Sequence, residues 1–138
     1  MKKYIAILLL AFSGSAFAQE YLLEINEQCS TNGAELSLKC GLTIEEKITG
    51  EKAKFIVFQS DGKWSAKQTN GIVVGRFKTL RSDENILILE TSTLFSGNRT
   101  LYLFKNNLRF YLVEVAFTDT LKNNEITIQQ GAFVELSK

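Results

Sequence analysis

The spacing of apolar residues from residue 20 onward constrains the fold of this chain more than any other feature. These residues alternate with polar ones or form short blocks of β-branched and aromatic types, and Gly, Asn, Asp and Ser separate the blocks. A period of two is typical of strands, whereas an amphipathic helix needs apolar positions three and four residues apart. The chain also contains no proline, which would interrupt strand hydrogen bonding. The sequence therefore predicts an all-β protein without a convincing helix.

The blocks predict about eight to ten short strands. They are expected near residues 20–27, 41–48, 53–60, 63–69, 72–80, 86–93, 99–105, 108–118, 125–129 and 132–136. Segment 34–48 is ambiguous, because Ala34-Glu35-Leu36-Ser37-Leu38 also suits a helical turn. Short connections between successive strands favour an antiparallel meander that forms a small barrel or a two-sheet sandwich.

The first eighteen residues have the organisation of an export signal. Met1-Lys2-Lys3 is basic, the run from Ile5 to Phe12 is apolar but short, and Ala16-Phe17-Ala18 fits the small-x-small pattern of a cleavage site. We therefore expect residues 1–18 to be a signal peptide and residues 19–138 to form a single β domain. The predicted location is the periplasm or the outside of the cell. No later segment is long and apolar enough for a transmembrane helix.

The two cysteines of the chain are Cys29 and Cys40. In an oxidising compartment such a pair is expected to form one disulfide, worth roughly 3 kcal/mol in the chain-entropy model. A tight turn at Asn32-Gly33 would hold the two sulfurs too far apart. The preferred register therefore places Cys29 opposite Cys40, Ile25 opposite Ile44 and Tyr21 opposite Ile48, with 30–39 as an irregular loop.

Residues that carry chemistry are scarce. The chain has no histidine, which excludes Ser-His-Asp and Cys-His catalysis and most zinc sites. Glu90, Glu114 and Glu135 are candidates for a carboxylate pair, but a short barrel offers no obvious deep cleft for glycoside hydrolysis. Asp83-Glu84-Asn85 lacks the spacing of a calcium loop and is interpreted as a polar turn. We predict a protein that is not an enzyme and that holds no cofactor and no metal ion.

Two predicted turns set the register of three central strands. Asp61-Gly62 and Asn70-Gly71 suit type I′ turns, in which both central residues have positive φ. The resulting pairing gives a core face and a solvent face, because side chains alternate across a strand. The core face carries Phe55, Val57, Trp64, Ala66, Val73, Gly75 and Phe77. The solvent face, called the basic face below, carries Lys54, Lys63, Lys67, Arg76 and Lys78, with Ile56, Phe58 and Val74 among them.

The charge distribution agrees with this clustering. Residues 52–81 contain 7 basic and 1 acidic residues, whereas residues 19–138 contain 14 basic and 15 acidic ones. A nearly neutral domain is not expected to bind nucleic acid in general. The local surplus fits either an ordinary solvated sheet face with protective lysines or a platform for an anionic partner.

A second hairpin, around Asn106-Asn107, offers another candidate surface. Its predicted pairs are Arg99–Glu114, Leu101–Leu112, Tyr102–Tyr111, Leu103–Phe110 and Phe104–Arg109. Leu101, Leu103, Phe110 and Leu112 form the core side. The other side, called the aromatic hairpin below, carries Tyr102, Phe104, Arg109 and Tyr111. Tyr and Arg are enriched at protein interfaces, so this side is either a binding surface or covered by a neighbouring segment.

These observations favour a non-catalytic binding module, such as an inhibitor or immunity-type protein. The expected partner is a protein or an anionic envelope component, bound through the basic face or the aromatic hairpin. The alternative is a carrier of a lipid-like small molecule, with an apolar cavity inside the barrel. An outer-membrane barrel is disfavoured, because strand 63–69 is short and bears lysines. A hollow interior would favour the carrier, and a filled one with Tyr102, Phe104 and Tyr111 exposed would favour the module.

Overall fold

The computed structural model describes residues 19–31, 37–93, 97–116 and 125–136. Its elements are β1 (Glu20–Thr31), β2 (Leu38–Gly41), α1 (Ile44–Thr49), β3 (Lys54–Ser60), β4 (Lys63–Lys67), β5 (Val73–Ser82), β6 (Ile86–Thr93), β7 (Gly97–Phe104), β8 (Arg109–Ala116) and β9 (Glu125–Glu135). Strands β3 to β9 pair in succession and β1 pairs with both β3 and β9, so eight antiparallel strands close into a barrel. The all-β meander is thus confirmed as a barrel, with β2 as one additional strand beside β1.

Large apolar side chains fill the barrel interior. The buried cluster consists of Tyr21, Leu23, Ile25, Val57, Trp64, Leu87, Leu89, Leu101, Leu103, Phe110 and Phe133. The ring of Tyr21 stacks on Trp64 at 5.9 Å between centroids and meets Phe133 edge-on at 5.4 Å. Burial, with a smaller contribution from the charge of Glu135, raises the pKa of the Tyr21 hydroxyl. The strand alternation therefore produces one continuous core.

The segment after β2 is a helix, so the predicted strand at 41–48 is wrong. The Thr43 hydroxyl accepts a hydrogen bond from the backbone N–H of Glu46 (3.1 Å) and thereby caps the start of α1, and Gly50 ends the helix with φ 77°. Thr-x-x-Glu followed by Gly is a known pair of helix start and stop signals. Ile44 and Ile48 are 71% and 78% exposed, so α1 buries neither of them.

The disulfide register is correct at the cysteines and wrong further along β1. Cys29 lies opposite Cys40 of β2, and their sulfurs are bonded. Ile25 lies opposite Gly131 rather than Ile44, and Tyr21 lies opposite Val57 and Glu135 rather than Ile48. The reason is that β2 covers only the last residues of β1, while β3 pairs with its first half and β9 with nearly its whole length.

The first predicted turn is confirmed and the second has a different geometry. Asp61 and Gly62 both have positive φ (53° and 75°), as a type I′ turn requires. In the second turn only Gly71 does, and Gly71 N–H donates to the Gln68 carbonyl in a three-residue loop. The accompanying bulge places Val73 opposite Lys67. Val73 is therefore 52% exposed, and its predicted place in the core is wrong.

The other pairings expected for the central strands are observed except Phe55–Gln68, because the β3–β4 register ends at Ile56 and Lys67, and the second hairpin has the predicted register. Val57, Ala66 and Gly75 lie opposite one another, as do Gln59, Trp64 and Phe77. The hairpin has all five predicted pairs, but its positive φ falls on Leu108 (57°) rather than on an asparagine. The predicted strands 125–129 and 132–136 are one strand, β9. Within the described ranges, no helix has the length and apolar character needed to cross a membrane. Residues 1–18 lie outside those ranges.

Candidate functional site

The two predicted binding surfaces lie on opposite walls of the barrel. Around the barrel the strands follow the order β1, β3, β4, β5, β6, β7, β8, β9. The basic face is centred on β4 and the aromatic hairpin is formed by β7 and β8, so β4 and β8 are four strands apart in either direction. The two surfaces therefore cannot form one site, and each has to be assessed separately.

The five cations of the basic face are not equivalent. Lys54 lies 3.7 Å from a carboxylate oxygen of Glu24, and Lys67 lies 3.1 Å from one of Glu20. The Lys67 ammonium also lies 4.7 Å from the ring centroid of Phe58. Both acidic residues come from β1, which the sequence did not place beside β3. This neighbouring strand partly neutralises the β3 side of the basic face.

The β5 side of the basic face has no ion pair among the described residues, although Glu90 of β6 lies opposite Lys78. Lys63, Arg76 and Lys78 make no ion pair with another residue in the described part of the chain. Large aliphatic side chains near them on β5 and its preceding turn are about half exposed or more. We call these residues together the β5 patch: Ile72, Val73, Val74, Leu80, Lys63, Arg76 and Lys78. Exposed apolar surface bordered by charged residues is typical of interaction sites.

The aromatic hairpin is only partly exposed. Tyr102 and Phe104 are half-buried, whereas Arg109 and Tyr111 are exposed. The rings of Phe104 and Tyr111 pack edge-to-face at 5.9 Å. Beside them lies a groove of about 330 Å³, formed where β1 bulges near Asn26. The groove is lined by Asn26, Glu27, Arg109, Phe110, Tyr111, Gln130 and Gly131, and the Glu27 carboxylate accepts a hydrogen bond from the Gln130 amide.

An opening in the barrel wall was not predicted. Residues 78–82 of β5 pair with β6, but among the described residues no pairing joins 73–77 of β5 to β6. Beyond Glu90, β6 pairs only with β7 within the described chain. We call the β6-facing side of residues 73–77 the open edge of β5. The sequence carried no sign of it, because β5 and β6 both have regular strand patterns throughout.

A cavity of about 240 Å³ lies inside this opening. It is lined by Phe55, Ala66, Val74, Phe77, Arg99, Leu112, Glu114 and Gln129. Arg99 Nε donates to Glu114 at 3.0 Å, and the Gln129 amide donates to Gln28 at 3.0 Å. The cavity thus has an apolar floor and a polar rim whose groups already have partners.

The remaining candidate sites involve the two cysteines and three glutamates. Among the described residues, the one group of three close ligand atoms joins Glu27 to Cys29 and Cys40. Both cysteine sulfurs are in the disulfide, so they supply no thiolate ligand. Of the three candidate carboxylates, Glu114 is paired with Arg99 and Glu90 lies opposite Lys78 and Thr100 on other strands. Glu135 lies opposite Tyr21, eight residues along β9 from Thr127, which is the partner of Glu114, so the register does not bring the three carboxylates together.

Comparisons of the chain with protein-family models, with curated proteins and with solved structures find no match. The surfaces and the cavity described above therefore carry the functional argument.

Asp83-Glu84-Asn85 connects β5 to β6 as a turn. The Asp83 carboxylate accepts hydrogen bonds from the backbone N–H groups of Asn85 (2.8 Å) and Ile86 (2.9 Å) and from Arg81 Nε (2.8 Å). These bonds favour the charged form and hold the pKa of Asp83 at about 2. The carboxylate oxygens therefore serve the turn itself.

Asp83→Asn is expected to destabilise the domain at neutral pH and to flatten its acid unfolding. A lowered folded-state pKa adds stability that is fully present above the unfolded value of 3.8 and disappears as the pH falls to about 2. Urea unfolding between pH 2 and pH 7 measures the effect, and Asp61→Asn in the other tight turn is the control. Equal pH dependence in the wild type and the Asp83 variant would contradict this assignment.

Proposed function

We propose that this chain is a non-catalytic binding module that acts by occupying the surface of a partner, as an inhibitor or immunity-type protein does. The observation that carries the proposal is the β5 patch, in which three cations without a described acidic partner stand beside four exposed aliphatic side chains. Cations speed the encounter with an anionic partner, and apolar side chains supply the contact area.

The filled interior supports the module over the carrier, whereas of the three aromatic residues expected to be exposed only Tyr111 is, since Tyr102 and Phe104 are half-buried. Eight-stranded barrels have room for a small ligand only when side chains leave the centre empty. Here Leu87, Leu89, Leu101, Leu103 and Phe110 are completely buried at the centre. The cavity of about 240 Å³ beside the open edge is smaller than the roughly 300–1,000 Å³ typical of pockets for drug-sized molecules. A lipid-like ligand would need the core to rearrange.

The partner we propose is an anionic protein surface or an anionic envelope component. The aliphatic part of the β5 patch favours a protein, because a purely electrostatic contact does not require exposed isoleucine and valine. The aromatic hairpin is the second candidate surface for the same function, on account of Tyr111, which is 40% exposed, and the adjoining groove.

We further propose that the module works in the periplasm or outside the cell, after removal of residues 1–18. The Cys29–Cys40 disulfide supports an oxidising compartment. The intact mass of the exported protein tests this, and the expected value is that of residues 19–138 with one disulfide. A mass that retains the signal or includes a lipid would refute the compartment and the processing.

Charge reversal tests the surface. Lys63→Glu, Arg76→Glu and Lys78→Glu, combined in one variant, are expected to abolish partner capture from an envelope extract and culture medium. Lys67 is left unchanged because it pairs with Glu20. Arg109→Glu alters the opposite wall, and Lys47→Glu in α1 controls for a change in net charge. Capture by the triple variant equal to that of the wild type, with loss in Arg109→Glu, would move the site to the aromatic hairpin.

A further inference from the structure

We propose that the partner contributes an extended segment in which acidic and apolar residues alternate, and that this segment pairs with the open edge of β5 as an added strand. The inference rests on the proposed function and specifies how the β5 patch would be used. Strand addition to a sheet edge is a recurrent mode of peptide recognition, in which main-chain hydrogen bonds provide affinity and side-chain pockets provide specificity.

Backbone alternation shows which groups the open edge offers. The two-residue turn at Asp61-Gly62 makes Ser60 and Lys63 a hydrogen-bonded pair, and the pairs alternate from there. The backbone N–H and C=O groups of Trp64 and Ala66 consequently point towards β5, where they pair with those of Phe77 and Gly75. The backbone N–H and C=O of Arg76 point the other way, towards the side from which β6 has diverged.

The side chains beside this edge differ between its two faces. On the outer face of the open edge lies Arg76, with Lys78 just beyond this edge, opposite Glu90 of β6. On the inner face, Phe77 lines the cavity together with Phe55 and Leu112. Residues on adjacent strands interact with neighbours on the same face. An added strand would therefore place outward-facing residues next to Arg76 and the intervening residues at the cavity. Acidic residues suit the first set and apolar residues suit the second.

The same charges argue against a second copy of this chain as the occupant. Antiparallel pairing of two β5 edges would bring Arg76 and Lys78 of one copy close to those of the other, and like charges on neighbouring strands are destabilising. Edge strands are often protected by charges alone. Protection alone does not account for Ile72, Val73 and Val74, which add exposed aliphatic surface at one end of this edge.

Fluorescence anisotropy with synthetic peptides tests the pairing. The probe is a short labelled peptide in which Glu alternates with Val, with Phe at the central apolar position. One control has the same composition in scrambled order, and a second carries N-methyl groups on the backbone nitrogens of the edge that would pair. We expect the alternating peptide to bind, and N-methylation and Arg76→Glu each to weaken binding about tenfold or more. Lys47→Glu in α1, which changes the net charge by the same amount as Arg76→Glu, should bind like the wild type.

The hydrogen-exchange rates of backbone amides distinguish strand pairing from charge attraction, which would not by itself protect an amide. Binding should slow exchange of the Arg76 amide and leave the amides of the aromatic hairpin unaffected. Failure of the alternating peptide to bind, or equal binding of its N-methylated form, would overturn strand addition. If the protein forms a concentration-dependent dimer that the peptide does not dissociate, the occupant of the open edge is a second copy of this chain and not an acidic segment of a partner. If charge reversal still abolishes capture from the extract while the peptide does not bind, the proposed function stands and strand addition alone is wrong.

Discussion

Gly131→Ala is expected to destabilise the barrel by about 3 kcal/mol or more, because the new side chain has no space. Its Cβ would lie 1.8 Å from the backbone oxygen of Glu24 and 3.0 Å from Cε1 of Phe110. Gly131 lies in β9 opposite Ile25 of β1, the pairing that closes the barrel. The added methyl group must push these two strands apart. Guanidinium unfolding of the wild type and the variant measures the loss.

Gly75→Ala is the matched control for this substitution. Gly75 also lies within a strand, but a Cβ there meets no atom within 4 Å. Replacing glycine by alanine at a compatible position restricts the unfolded chain, so the control is expected to be neutral or to gain up to about 1 kcal/mol. If Gly131→Ala loses no more unfolding free energy than Gly75→Ala, β1 and β9 do not approach closely at Gly131. That result would contradict closure of the barrel.

Phe110→Ala is expected to cost about 3–5 kcal/mol of unfolding free energy. The ring is completely buried and packs edge-to-face on Phe55 at 6.0 Å between centroids. It lies between Leu103 and Gly131 on the neighbouring strands, so its removal leaves a cavity at the centre of the core. Urea unfolding monitored by Trp64 fluorescence measures the change.

Tyr111→Ala is the control from the next position on the same strand. Its side chain points to the outer face and is 40% exposed, and its described ring contact is with Phe104. We expect a loss of about 1 kcal/mol, in line with one exposed aromatic pair. A larger loss for Tyr111→Ala than for Phe110→Ala would reverse the inner and outer faces of β8, and with them the whole arrangement of the core.

Local pairings could be predicted from the sequence because short turns determine them. The type I′ turn at Asp61-Gly62 leaves one register for β3 and β4. The predicted pairing of Ala66 with Gly75 is also observed, because the bulge compensates for the extra residue of the loop between β4 and β5. The same reasoning correctly paired Leu103 with Phe110. It failed at Asn70-Gly71, because a three-residue loop with a bulge suits the same residues and shifts Val73 to the surface.

Long-range arrangements could not be predicted because no local signal specifies them. Nothing near β1 shows that its partners are β3 and β9 rather than the segment at 41–48. The pairing of Glu20 with Lys67 depends on that arrangement, so the sequence suggested five equivalent cations where the structure has two distinct groups. The helix α1 was missed for a different reason. Its Ile and Thr residues are typical of a strand, whereas the capping signal at Thr43 and Glu46 determines a helix.

The open edge of β5 also could not be predicted from the sequence. Its pattern from Val73 to Phe77 differs little from that of a fully paired strand, since side-chain alternation reports which face is buried and not which edge is bonded. The basic residues could be predicted as a cluster, but only the structure shows that Phe77, the neighbour of Arg76 on β5, lines a cavity with an apolar floor.

The association rate of the mature chain with its captured partner, measured at low and high salt, tests whether the β5 patch is the binding surface. The Debye length shrinks from about 10 Å at 0.1 M salt to about 3 Å at 1 M, which screens attraction by exposed cations. We predict slower association of the wild type at high salt. The variant Lys63→Glu, Arg76→Glu, Lys78→Glu should associate slowly at low salt, with an almost unchanged melting temperature. An unchanged association rate for this variant would contradict binding through the β5 patch. Tyr102 and Tyr111 of the aromatic hairpin would then be the residues to replace next.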